Sequence, residues 1–598
     1  MPSLPPYRGT SRRLVLGIDV GTTFSGVAYA VLDPGQVPTI QSITRFPGQE
    51  DAAGNSKIPS VLYYRQDGTV HSAGAEATLP NMDITADDED LIFVEWFKLH
   101  LRPPRLDASS VKKADIPSLP PGKDAAAVLA DFLRYLFACV RRYVCETHGG
   151  GERLWASVAD RAEVVLAHPN GWEGPQQAVM RAAAVAAGLV PDSDAGRERV
   201  RFVTEGEASL NFCVRSGLAA DTLKDQDGVI IADAGGGTID VSSYSFQTLE
   251  PVSVEEVATP GCLLQGSTRV NVRASKFLKA LLKDSDYGNS DDMKAMIQNF
   301  EKSTKAIFKS KKDSSYIRFG TMRCNDEAVN IRRGQLTISG ADMLSFFKPS
   351  LDAIMNAIKG QLKEAALTCQ LRTVFLVGGF AASPWLNSAL KEGLNGLGLR
   401  LYRPDAHTNK AVAHGAVLHY IDNFVSARVT KVTYGTSVSV LYNPFDEEHR
   451  ARVHTKVSWA SGEERLPEGF SVILEKGKRV RESQEVGSLY VEHSRDSRTL
   501  NGVAAEILGY RGPERTPRWV DVEPELYAPL CTVYADTSRV VRQPQFGPKG
   551  TYYSQEFKII LLCGQTELKA LISWQEDGLE RRGPAKIVYD NDLSNSRS

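Results

Sequence analysis

No stretch of the 598-residue chain runs eighteen residues without polar interruption, so no segment is expected to cross a membrane. The opening MPSLPPYRGTSRR holds proline and arginine but no apolar centre for a secretory leader, and the closing SNSRS matches no retention or peroxisomal signal. A cytoplasmic location, extending to the nucleus, is the expectation. An excess of one charge is missing too. Seventy Lys and Arg against seventy-two Asp and Glu give a formal −2, which leaves no long-range field to draw nucleic acid or an anionic membrane. Cys139, Cys145, Cys213, Cys262, Cys324, Cys369, Cys531 and Cys563 include no pair at the two-residue spacing of zinc or redox motifs, so buried thiols in a reducing compartment are expected.

What is present is ordinary globular material, 42% hydrophobic and 24% charged, which excludes global disorder. The length implies roughly three to five structural units. Residues 1–12 read as a tail, since their prolines and glycine offer no periodic apolar face. From Leu14 to about residue 422, short apolar runs (LVLGI, AEVVLA, GVIIA, RTVFLVGG) alternate with helical stretches, the pattern of an α/β architecture with buried strands. A helix is expected from about Asp124 to Cys145, with Leu129, Phe132, Leu133, Leu136, Val140 and Tyr143 at spacings of three and four. Beyond Phe424 the texture turns to short β-branched strands, closing with FKIILL and ELKALISW around CGQT, which indicates a β-sandwich. The acidic run at 87–90 and the lysines between 302 and 312 read as solvated surface.

One internal repeat carries chemistry. LVLGIDVGTTFSGVAYAV and GVIIADAGGGTIDVSSYSF share an apolar strand, an aspartate, a small-residue turn and a second strand, which sets Asp19 on Asp233 and Gly21 on Gly235. Gly21, Thr22 and Thr23 form a turn whose N–H groups and hydroxyls can face an anion. Gly235, Gly236, Gly237 and Thr238 repeat it, so a polyphosphate can be held from two sides. Asp19, Asp233 and Asp240 would repel one another at such a site unless a divalent cation neutralised them, and magnesium suits oxygen ligands and phosphates. A third element, RTVFLVGGFAASPWL, is a buried strand ending at Gly378 and Gly379.

These elements, in this order, make the chain resemble the ATPase domain shared by actin, sugar kinases and the seventy-kilodalton heat-shock chaperones, and it looks most like the last. The resemblance implies a two-lobed actin-like ATPase domain of duplicated ribonuclease H-like lobes over 13–422, with lobe I about 13–214 and lobe II about 215–422. A β-rich domain over 425–592, similar to a lidless peptide-binding sandwich, follows, as in the divergent eukaryotic branch. The resemblance further implies ATP or ADP with Mg2+ as ligands. Glu205, Asp233, Asp240 and Lys98 would serve hydrolysis, Pro169 would act as the switch proline, and Asp19, Asp233 and Asp240 would hold the metal through water. Thr238 would contact the γ-phosphate, while Gly378, Gly379, Glu301 and Lys305 would flank the adenosine. Phe24, Ala382 and Asn409 depart from the chaperone pattern, and the acidic leucine-rich linker is absent. A slowly hydrolysing protein that engages unfolded polypeptide or another protein is expected. The alternatives are a nucleotide-gated interaction protein with little turnover and a small-molecule kinase.

Overall fold

In the computed structural model the described residues are 4–50, 54–107, 115–216, 227–249, 251–403, 410–481, 484–563 and 567–587. They fall into two compact units. The first comprises residues up to Trp172 and Val179–Phe424, and the second comprises Glu173–Ala178 and the chain from Val425.

The first unit is α/β and contains two sheets of the same plan. β1 (Arg13–Val20) and β2 (Phe24–Leu32) form an antiparallel hairpin, and β3 (Ile40–Ser42) and β4 (Lys57–Pro59) both pair with the outer edge of β2. A small side sheet of β5 (Val61–Tyr64), β6 (Val70–Ala73) and β7 (Ile92–Glu95) follows. β8 (Glu163–His168) and β9 (Val200–Thr204) then add in parallel, for the order β3-β2-β1-β8-β9. Leu14, Leu16 and Ile18 point into one core and Val15 into another, which is why this strand reads as an unbroken apolar run.

The second sheet repeats that plan. β10 (Gly228–Ala234) and β11 (Ile239–Leu249) make the hairpin, β12 (Val252–Glu256) and β13 (Gly261–Leu263) pair with β11, and a side sheet of β14 (Ser315–Arg318), β15 (Ile331–Arg332) and β16 (Gln335–Ile338) intervenes. β17 (Leu371–Val377) and β18 (Arg400–Tyr402) complete it in parallel.

The expected long helix spans Ala125–Thr147. Asp124 caps it by accepting from the Ala127 N–H at 2.8 Å, and Val128, Phe132, Leu136 and Val140 are buried in the first core. Two closing helices cross between the lobes. Helix Ala411–Ile421, which follows β18, packs Val412, Ala413, Ala416 and Val417 onto Val15, Ala28 and Val165 of the first sheet. Helix Glu205–Arg215, which follows β9, reaches the second sheet, where Ser209 donates to Asp233 at 3.0 Å. The lobes are therefore not clean sequence halves, because each sends its last helix to the other. Tyr7, within the segment read as a tail, exchanges backbone hydrogen bonds with Gly35 and Gln36, so the fold takes up the chain ahead of residue 13.

The second unit is a β-sandwich. β19 (Val425–Val429) pairs with β23 (Arg479–Arg481). One sheet has β20 (Thr433–Leu441), β21 (Val457–Ser458), β22 (Glu464–Leu474), β25 (Gly502–Tyr510) and β26 (Tyr527–Asp536) in the order β21-β22-β20-β25-β26. The other runs β24 (Glu485–Ser494), β28 (Gly550–Cys563), β29 (Leu568–Glu576) and β30 (Leu579–Arg582), with β27 (Gln545–Gly547) on the edge of β28. Phe557, Ile559 and Leu561 alternate inward against Val503, Ile507 and Val533. The turn residues 564–566 between β28 and β29 lie outside the described residues.

Candidate nucleotide site

The two hairpin turns face each other. A side chain added at Gly236 would collide with Thr23, and one at Gly237 with Thr22, so Gly21–Thr23 and Gly235–Thr238 meet across a single cleft. The second turn is backed by helix Ser267–Leu281. The N–H groups of Gly266, Ser267 and Thr268 donate to the carbonyls of Gly237, Gly235 and Gly236 at 3.2, 3.1 and 2.9 Å. That pairing takes up the turn's acceptors. The Gly236 and Gly237 N–H groups donate to no backbone carbonyl among the described residues, which leaves a nest suited to an anion.

Four buried carboxylates surround this cleft. Asp19 ends β1, Glu205 begins its helix, and Asp233 and Asp240 face each other in the β10–β11 register. Lys98 Nζ lies 2.6 Å from Glu205 Oε1, and Lys57 Nζ lies 2.6 Å from Asp19 Oδ2. Lys98 sits in a short helical turn, Phe97–Leu101, entered through Trp96 in the left-handed region at φ 55°, a strained backbone for a bulky residue. Its ammonium stands 5.4 Å from the centre of the Trp172 ring. Burial opposes charge on Lys98, but Glu205, aided by Asp19 and Asp240, outweighs it and holds the ammonium above its ordinary value. Burial raises Glu205, and Lys98 only partly offsets that.

Asp233 and Asp240 have no cation beside them. Burial, then the charges of Glu205 and Asp19, pushes Asp233 up to about 7. Burial, then Glu205 and Asp233, drives Asp240 well above the usual carboxylate range. Asp240 Oδ1 accepts from the Asn170 N–H at 2.5 Å, and the Thr238 hydroxyl and Cys262 thiol interact with the same buried carboxyl. Among the described residues no cluster of three or more His, Cys, Asp or Glu side chains is placed to ligate a metal directly, so Asp233 and Asp240 could take a hard divalent cation only with water completing its shell.

The structure places Gly378, at φ 89°, where any side chain would strike Asp233 Oδ1 and the Ala234 backbone, so the third glycine element closes on the second turn. Gly379 is exposed and open. Glu301 and Lys305 belong to a widened turn at Phe300–Thr304 and its continuation. Lys305 Nζ approaches Asn271 Oδ1 at 2.8 Å and Glu301 at 3.7 Å, and burial lowers its pKa. Burial, with the Glu301 charge added, pushes Glu95 of the first lobe up to about 7. Ala382 is exposed, and Asn409 lies outside the described residues. Pro169 follows β8 and opens the turn whose next residue, Asn170, grips Asp240 and Ser242 at 2.5 and 2.8 Å. Lys57, Asn170, Trp172 and Ser209 line this machinery without having been singled out from the sequence. For Asn170 a signal existed, because a polar residue directly after a strand-ending proline needs a partner once buried.

Duplicated sheets, two opposed phosphate-type turns and a carboxylate-lined cleft define an ATP-binding protein of the two-lobed actin-like class. Residues 164–426 match the family model for the Hsp70 protein. The chain is 22% identical over 510 residues to mouse heat shock 70 kDa protein 12A, covering 71% of this chain and 72% of that one. It is also 22% identical over 529 residues to human heat shock 70 kDa protein 12B, covering 73% of each, and 22% identical to human 12A over 510 residues. The chain is thus similar to the Hsp70 family over that segment and, at 22% identity, to divergent Hsp70 relatives over most of its length.

Proposed function

We propose that this chain binds Mg-ATP in the cleft, hydrolyses it slowly and engages polypeptide through its β-sandwich. The observation that supports the reading best is the pair of opposed turns, whose Gly236 and Gly237 N–H groups donate to no backbone carbonyl among the described residues and would serve a phosphate tail. Thr22, Thr23 and Thr238 add hydroxyl donors from both walls. Asp233 and Asp240, buried and facing each other across the β10–β11 register, are the groups that would hold magnesium through water, and the ion when bound neutralises phosphate charge. Glu205 and Asp233 would orient an attacking water, and Lys98, held by Glu205 at 2.6 Å, would supply the fixed cation for charge developing on the transferred phosphoryl group. Asn170 keeps Asp240 in place from the opposite lobe.

Single-turnover ATP hydrolysis tests this. Lys98→Ala and Asp233→Ala should each slow the chemical step by on the order of a hundred- to a thousandfold. Rates equal to wild type would overturn the assignment. For the sandwich, the edge strand β21 and exposed Phe445 and Phe546 support docking of an extended peptide. Fluorescence anisotropy with a reduced, unfolded polypeptide should show saturable binding by the full chain, and no binding would exclude the chaperone part of the reading.

A further inference from the structure

Asp19, Gly26 and Lys57 lie side by side across three neighbouring strands. Asp19 on β1 is opposite Gly26 on β2, and Gly26 is opposite Lys57 on β4. Residues directly opposite in adjacent strands project to the same face, so all three share one side of the sheet. Two strand spacings, about 10 Å, separate β1 from β4. The middle position carries no side chain, and the lysine stem occupies that lane. A Cβ at Gly26 would stand 2.9 Å from the Ser56 carbonyl oxygen, 3.4 Å from Lys57 Cγ and 3.7 Å from Cε. The ammonium thereby reaches Asp19 Oδ2 at 2.6 Å, with the lysine side chain 19% exposed and the aspartate 5%. This pair is built by register and by a glycine.

The consequence concerns charge. Of the four cleft carboxylates, Asp19 and Glu205 each already hold a lysine, and only Asp233 and Asp240 lack one. We propose that Lys57 is a resident counter-ion at the nucleotide cleft, which neutralises Asp19 with or without metal, so that nucleotide binding by this chain depends less on magnesium than it would without Lys57. The inference rests on the nucleotide-binding reading above. A point charge on a flexible stem suits the role, because it can stay with Asp19 or swing toward a phosphate oxygen without a change of fold.

Titration of the full chain with a fluorescent ADP derivative, in excess magnesium chloride and in EDTA, tests it. Removing one charge-assisted contact costs roughly ten- to a hundredfold in affinity. On chelation the affinity of Lys57→Met should therefore fall by about ten- to a hundredfold more than that of wild type. Gly26→Val keeps both charges but fills the lane, and should raise metal dependence in the same way. Circular dichroism checks that both variants fold. Equal magnesium dependence in wild type and folded Lys57→Met would overturn the proposal while leaving the nucleotide site intact. No binding by wild type in either condition would overturn the nucleotide reading together with it.

Discussion

Replacing Lys98 by methionine removes one member of a buried ion pair and leaves its volume nearly filled. Lys98 and Glu205 have side chains only 6% and 10% exposed, so the stranded carboxylate cannot recover its hydration. Breaking such a pair from one side costs about 3–5 kcal/mol. The cost depends on pH in a fixed direction. Burial already raises Glu205 above its ordinary value with Lys98 present, and without Lys98 it rises further. A carboxyl raised in the folded state is destabilising when ionised. That penalty is full above its folded pKa and gone below its unfolded value. Lys98→Met should therefore be several kcal/mol less stable than wild type at roughly pH 8 and lose much of that deficit at roughly pH 5. Lys98→Met/Glu205→Gln should recover most of the stability at both, since no charge is left unpaired. Guanidinium unfolding of the full chain, followed by tryptophan fluorescence, measures all three proteins. A deficit for the single variant below about 1 kcal/mol at the higher pH, or one that does not shrink on acidification, would refute the reasoning.

Gly236→Val would drive a side chain into Thr23, and calorimetry should find ADP affinity lost with little change in overall fold by circular dichroism. Asp233, raised to about 7, opposes folding when ionised; the ligand-free chain should gain stability as pH falls from about 8 toward 5, and Asp233→Asn should flatten that gain in thermal scans. Glu301→Gln should move the Glu95 carboxyl down from about 7, as read by NMR titration. Asp124→Ala removes the cap of the long helix and should cost about 1 kcal/mol in denaturant unfolding. Ile559→Ala, in the sandwich core, should cost about 2–5 kcal/mol.

Much of the architecture was legible because it rests on local pattern. The β1–β2 and β10–β11 hairpins carry the same apolar–Asp–small-residue motif, and each fully buried strand shows as an unbroken apolar run. The helix after Asp124 declared itself by its stripe and its cap. The cleft was legible as far as the motif repeats, through Asp19, Asp233 and the two glycine turns. What stayed hidden depends on register and distance along the chain. Lys57 is 38 residues from Asp19, and only the pairing of β4 beside Gly26 brings them together. Asn170 lies 70 residues from Asp240. The exchange of closing helices was also invisible, since helix Ala411–Ile421 is apolar almost all round and its sequence does not say which sheet it covers.

That exchange governs how the cleft can move. Gly415 lies so close to the Ala208 carbonyl that a single methyl group there would have no room, which makes the crossing of the two helices the tightest point between the lobes. A rotation that parted the phosphate turns while keeping this contact would pivot at the Ala208–Gly415 crossing and move the mouth furthest. Gly415→Ala would wedge the pivot and bias the mouth, changing nucleotide release from a position that touches no nucleotide.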